Sequence, residues 1–192
     1  MPERIKTLVA QSSLPAGGHV FSDALRLSIR PPRVTLQLQV AARSLKTVDA
    51  IRIAGRPLPL SPNSWTGADP VCCRIAPDTW LVQSALHDAN DVMLALRKGC
   101  GRRTFVVTDL SDAFVTFWLE GAHSVALLAR GCGLDLSVTA FRTSACTRTR
   151  VAQLPVIVRR AGFERFELMV DRAAAQYFHD WLRDAVAGLG AR

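Results

Sequence analysis

Between residues 34 and 40 the chain alternates strictly. Val34, Leu36, Leu38 and Val40 fall on one side, with Thr35, Gln37 and Gln39 on the other. That period of two predicts a half-buried strand. Apolar runs at 71–75 and 79–82, separated by Ala76-Pro77-Asp78, predict two more strands around a turn. The stretch "TFVVTDLSDAFVTFWLEG" predicts another pair, with a tight turn at Leu110-Ser111-Asp112. Strands are also expected near 145–151, 156–160 and 165–170, with a bend at Gln153-Leu154-Pro155.

Helical spacing marks the intervals. A short helix is expected from Ser44, carrying Leu45, Val48 and Ile51 and stopped at Gly55. Others are expected at about 88–98, ending at Gly99, and at about 122–130, ending at Gly131. A final helix is predicted after Asp171, with Ala174, Phe178, Trp181, Leu182 and Ala185 on one face. The segments "LALRKGCG" and "ALLARGCG" echo one another at an offset of 32 residues. Ordinary capping chemistry and a strand-helix-strand pseudo-repeat both account for that echo. Together these elements predict an α+β fold of ferredoxin-like character, with antiparallel sheets and helices on one face.

Residues 1–32 lack any sustained period and contain Pro2, Pro15, Gly17, Gly18, Pro31 and Pro32. They are expected to form an extended N-terminal arm ahead of a single domain at 33–187 and a short tail at 188–192. The Pro-rich stretch "RPLPLSPNSW" is expected to be an extended loop ending at Trp65. In the strand at 113–119, Val115, Phe117 and Leu119 line one face and Phe114 and Trp118 the other. Helices covering only one face would leave those two aromatics either in a two-sided core or at a protein contact.

The charge balance narrows the choice of partner. There are 24 basic and 16 acidic residues, a net charge of +8, in a chain that is 49% hydrophobic. The arginines lie in scattered pairs without interleaved aromatics, so neither a nucleic-acid surface nor a membrane is expected, and an acidic protein partner fits better. No apolar run approaches the ~20 residues of a membrane span, and the N-terminus lacks the apolar core of a secretory signal. A cytoplasmic protein with five reduced cysteines is expected.

Catalytic signatures are missing. No nucleophile elbow, phosphate-cradling Gly loop or metal-ligand spacing occurs, so no catalytic, cofactor-binding or metal residue is assigned to this chain. Arg148 and Arg150 share one face of a strand. They could hold an anion, pair with a neighbouring subunit or simply be solvated.

The ordered set "RLSIRPP", "LPLSPNSW", "IAPDTWLV", "VTDLSDAFVTFWLEGAHSVALLARGCGLDL", "CTRTRVAQLPVIV" and "DRAAAQYFHDWL" closely resembles the gamma subunits of heterotetrameric sarcosine oxidases. Those subunits are similar in turn to the folate-binding N-terminal domain of the glycine-cleavage T protein. The resemblance implies a non-catalytic subunit of an oxidoreductase complex that demethylates sarcosine or a related N-methyl amino acid. Partner alpha, beta and delta subunits would hold FAD, FMN, NAD, tetrahydrofolate and zinc. The T protein has an acid pair just before the strand that corresponds to 156–160, whereas Leu154 and Pro155 stand there in this chain. Neither can take or orient a proton. Phe114, Trp118, Trp65, Arg148 and Arg150 are the subunit-interface candidates. An autonomous folate-binding aminomethyltransferase-like protein is the enzyme alternative, and a basic nucleic-acid module a more distant one.

Overall fold

The computed structural model describes residues 13–22, 24–41 and 48–189. Thirteen strands, three helices and a 3-10 turn are seen among them. The first sheet is built from β1 Gly17–Ser22, β2 Leu25–Ile29, β10 Phe114–Glu120, β11 Cys146–Val151, β12 Leu154–Gly162 and β13 Arg165–Asp171. All six are antiparallel, in the order β1-β2-β10-β13-β12-β11. The second sheet is built from β3 Val34–Val40, β6 Trp65–Thr66, β7 Val71–Ala76, β8 Thr79–Ser84 and β9 Phe105–Asp109. Its order is β6-β7-β8-β3-β9. A small hairpin joins β4 Arg52–Ile53 to β5 Arg56–Pro57.

The outer face of each sheet is apolar, and so is part of each inner face, so both sides need a cover. Helices α2 (Ser124–Ala129) and α3 (Ala175–Ala187) seal the outer face of the first sheet. There Leu127, Leu128, Phe178 and Leu182 pack on Leu27, Val115, Phe117, Leu119, Val158 and Phe166. Helix α1 (Ala89–Cys100) seals the outer face of the second, with Val92, Leu96 and Cys100 on Leu36, Leu38, Trp80 and Val82. The two inner faces meet at Val71, Cys73, Ile75 and Leu81 from one sheet and Cys146, Ile157 and Met169 from the other. The order is helix, sheet, sheet, helix. Each sheet thus carries helices on one face only, as the antiparallel α+β reading expects.

Several boundaries differ from the sequence expectation. Residues 17–29, expected in an arm, form the β1–β2 hairpin, and β2 pairs with β10 inside the first sheet. Alternation over only five residues is a weak signal, yet Leu25, Leu27 and Ile29 are all buried. Residues 1–12 and 190–192 lie outside the described residues. So do Ser44 and Leu45 of the expected short helix, while Val48 and Ile51 are buried in the core beneath α1. Gly55 turns the β4–β5 hairpin at φ 76° and stops no helix.

Helix α1 runs past Gly99 to Cys100 and is capped by Gly101 at φ 58°. Gly99 serves packing instead, because a Cβ there would stand 2.5 Å from the Arg52 carbonyl oxygen. Leu110-Ser111-Asp112 is not the tip of a hairpin. Since β9 pairs with β3, and β10 with β2 and β13, this turn carries the chain from one sheet to the other. Asp171 caps the 3-10 turn Arg172–Ala174 that leads into α3, accepting the Ala173 N–H at 2.8 Å.

If the β1–β2 hairpin belongs to the fold, Leu27→Ala destabilises the chain by about 2–5 kcal/mol. Chemical denaturation of the purified variant measures it, and a loss below about 0.5 kcal/mol contradicts the assignment.

Candidate functional site

The interface candidates converge on one surface, the inner face of the first sheet. Antiparallel register sets directly opposed residues side by side on the same face. One row across five strands reads Ser28, Trp118, Glu167, Arg159 and Cys146. To one side of it, Thr116 is followed by Met169, Ile157 and Arg148. Further along, Phe114 opposes Asp171 and Arg150 opposes Pro155. On the opposite side of the Trp118 row, Glu120 lies between Arg26 and Arg165.

At the centre lies Glu167, 1% exposed, flanked along its strand by Phe166, Leu168, Met169 and Val170. A buried carboxylate requires compensation. Arg159 donates to it at 2.6 Å, and Arg33 approaches at 3.8 Å from the loop before β3. Arg159 lies in turn over the Trp65 ring at 4.5 Å. Trp65 reaches this face from the second sheet. Its Nε1–H is directed at the carbonyls of Thr143 and Arg160, both at 3.1 Å. The structure therefore uses Trp65 inside the chain to join the two sheets.

Phe114 is half-buried at the rim of the inter-sheet core. With Arg148, Pro155, Ile157, Met169 and Asp171 it lines a depression of about 190 Å³. Arg148 and Arg150 are exposed. Trp118 is half-buried at the open end of the face, with the Arg30 guanidinium 4.4 Å and the Arg165 guanidinium 5.5 Å from its ring centroid. Arg165 pairs with Glu120 at 2.5 Å. The hydrogen bond from Arg165 holds the Glu120 carboxyl below the usual range, with smaller help from Trp118 and Arg26 against a desolvation cost. A hydrogen bond with Cys146, together with burial between the sheets, pushes the Cys73 thiol well above its ordinary value. Burial alone pushes Cys72 up to about 12. Both thiols are thus protonated, and thiol is the less nucleophilic form.

Arg30, Arg33, Arg159, Arg165 and Glu167 are not among the site residues named from the sequence, although Arg30 lies in the segment "RLSIRPP". A signal is present nonetheless: Glu167 and Arg159-Arg160 interrupt apolar strands, and charges at buried positions demand partners. Among the described residues no group of three or more His, Cys, Asp or Glu side chains is placed to hold a metal ion. Among them, too, no helix is long and apolar enough to cross a membrane.

Residues 57–192 match the GCVT N-terminal domain family. The chain belongs to that family. A curated relative, the sarcosine oxidase subunit gamma of Corynebacterium sp. (strain U-96), is 25% identical over 118 residues, covering 61% of this chain and 56% of the relative. The match thus spans little more than half the relative's length. A chain in the solved heterotetrameric sarcosine oxidase of Corynebacterium sp. U-96 shares the fold, with a TM-score of 0.76 at 21% identity over 88% of this chain and 86% of that one. The glycine-cleavage aminomethyltransferase T of Bartonella henselae is more distant, with a TM-score of 0.56 at 14% identity over 78% of this chain and 43% of that one.

The residues present do not fit the folate chemistry implied by this GCVT kinship. Leu154 and Pro155 open β12 opposite Val151 and Arg150. The carboxylate beside them, on Asp171, is already occupied as a helix cap. The depression that Pro155 and Asp171 share is smaller than the roughly 300–1,000 Å³ usual for small-molecule sites.

Two measurements probe this network. Glu167→Ala leaves Arg159 without its carboxylate and is expected to cost ~3–5 kcal/mol, whereas Glu167→Leu combined with Arg159→Met is expected to cost far less. Equal losses contradict the role given to the pair. Because the folded-state pKa of Glu120 is depressed, its contribution is present above the ordinary carboxylate range and is lost as pH falls through the native value. Glu120→Gln should therefore flatten the acid limb of stability against pH by less than about 1 kcal/mol, since the pair is solvent-exposed. An unchanged limb contradicts this.

Proposed function

We propose that this chain is the non-catalytic gamma subunit of a heterotetrameric sarcosine oxidase, an oxidoreductase complex of the cytoplasm. The observation that carries the reading is the fold likeness to a chain of such an oxidase over 88% of the present one. The curated relative named as a gamma subunit supports it from sequence. In this reading the complex demethylates sarcosine, or a related N-methyl amino acid, to glycine. The one-carbon unit leaves as 5,10-methylenetetrahydrofolate, and oxygen is reduced to hydrogen peroxide. FAD, FMN, NAD, tetrahydrofolate and zinc belong to the alpha, beta and delta subunits. The gamma chain keeps the GCVT-type sandwich but has Leu154 and Pro155 where folate transfer needs an acid. Its work is assembly, through the charged inner face that carries Phe114, Trp118, Arg148 and Arg150.

Affinity purification of the tagged full-length chain from the cell that encodes it tests this. Co-elution of a flavin-bearing complex that oxidises sarcosine is expected, together with no heat on titrating folate into the chain alone. Recovery of the chain by itself, binding folate, would instead establish the autonomous aminomethyltransferase-like alternative.

A further inference from the structure

The open end of the inner face carries an unmatched positive charge. Glu120 is taken by Arg165, and Glu167 by Arg159 and Arg33. Arg30, which comes from the end of β2, is paired with no carboxylate within 4 Å among the described residues, although its backbone N–H is used by the Thr116 carbonyl at 2.9 Å. Its guanidinium is held over Trp118, and its Nε is buried without an acceptor. Arg26 adds a further exposed cation beside Glu120. Resting a guanidinium on an indole fixes its plane and removes rotamer freedom before any ligand arrives. It leaves the fork of N–H donors that suits a carboxylate.

We propose that Arg30, set on Trp118 and flanked by Arg26 and Arg165, receives an Asp or Glu side chain from an acidic surface segment of a partner subunit. This rests on the oxidase-subunit reading above. Charge complementarity selects the occupant. The chain is at +8 overall, and the surplus at this end of the face is positive. A second copy would bring like charge against like, which disfavours self-association here. Trp118 then supplies the half-exposed aromatic anchor that the carboxylate surrounds, the usual make-up of an interface hot spot.

The test uses the full chain in its assembled complex. Arg30→Lys places a primary amine at this point in a chain with three other lysines, and a zero-length carbodiimide joins amines only to carboxylates in direct contact. Mass spectrometry is expected to find residue 30 linked to an Asp or Glu of a partner subunit. Arg30→Gln is expected to weaken partner binding by roughly tenfold and to reduce its salt dependence, with little change in the melting temperature of the isolated chain. If the wild-type chain assembles but residue 30 forms no link to a partner, or links to another copy of this chain, the docking proposal is overturned while the subunit reading stands. Unchanged affinity of Arg30→Gln overturns it equally. Failure of the wild-type chain to assemble with any oxidase subunit removes both.

Discussion

A single buried carboxylate organises the meeting of the two sheets. Glu167 sits among apolar residues of its strand and is closed off from solvent, so it must be matched by cations that are themselves held in place. Arg159 comes from the neighbouring strand and Arg33 from the loop that enters the other sheet. Trp65 then covers Arg159 from the second sheet and reaches with its indole N–H to backbone carbonyls of the first. Remove the carboxylate, and the cations lose their reason to be buried. The apolar contact of Cys73, Ile157 and Met169 fills the rest of the interface, while the charged row sets where that contact ends.

That boundary explains the open region around Trp118. In the register, Trp118 is the next residue in the row from Glu167. The apolar contact between the sheets gathers at Cys146, Ile157 and Met169, alongside and beyond the ion pair, and around Trp118 the surface turns to arginine. Among the described residues, a half-buried ring with arginines over it is poorly used as core. It is well used as a platform for guanidinium groups, and so for whatever anion they meet. The same outline bears on the proposed non-catalytic role of this chain. It has the double-sheet sandwich of the GCVT N-terminal domain family, but Leu154 and Pro155 leave no proton-handling group at the start of β12.

Much of this is legible in the sequence, and the parts that are not share a cause. The alternation in 34–40 identifies β3, and strand parity correctly separates Phe114 and Trp118 from Val115, Phe117 and Leu119. Parity also puts Arg148 and Arg150 on one face. Such facts are internal to a strand. Pairing between strands is not, so no local pattern tells that Trp118 and Arg159 share a row or that Leu110 carries the chain from one sheet to the other. β2 is hidden because five residues beside prolines resemble an arm, although Leu25, Leu27 and Ile29 are core. The internal role of Trp65 is hidden, because nothing local reveals that its indole bonds to carbonyls 78 and 95 residues away.

If a partner docks on this face as proposed, Trp118 is accessible in the free chain and covered in the assembled complex. Hydroxyl-radical footprinting of the same chain in both states addresses it directly, because side-chain oxidation follows solvent access. The expected result is ready oxidation of Trp118 in the free chain and strong protection after assembly, with Tyr177, an exposed residue on α3, serving as a second reporter outside the inner face. Equal oxidation of Trp118 in both states would contradict the account.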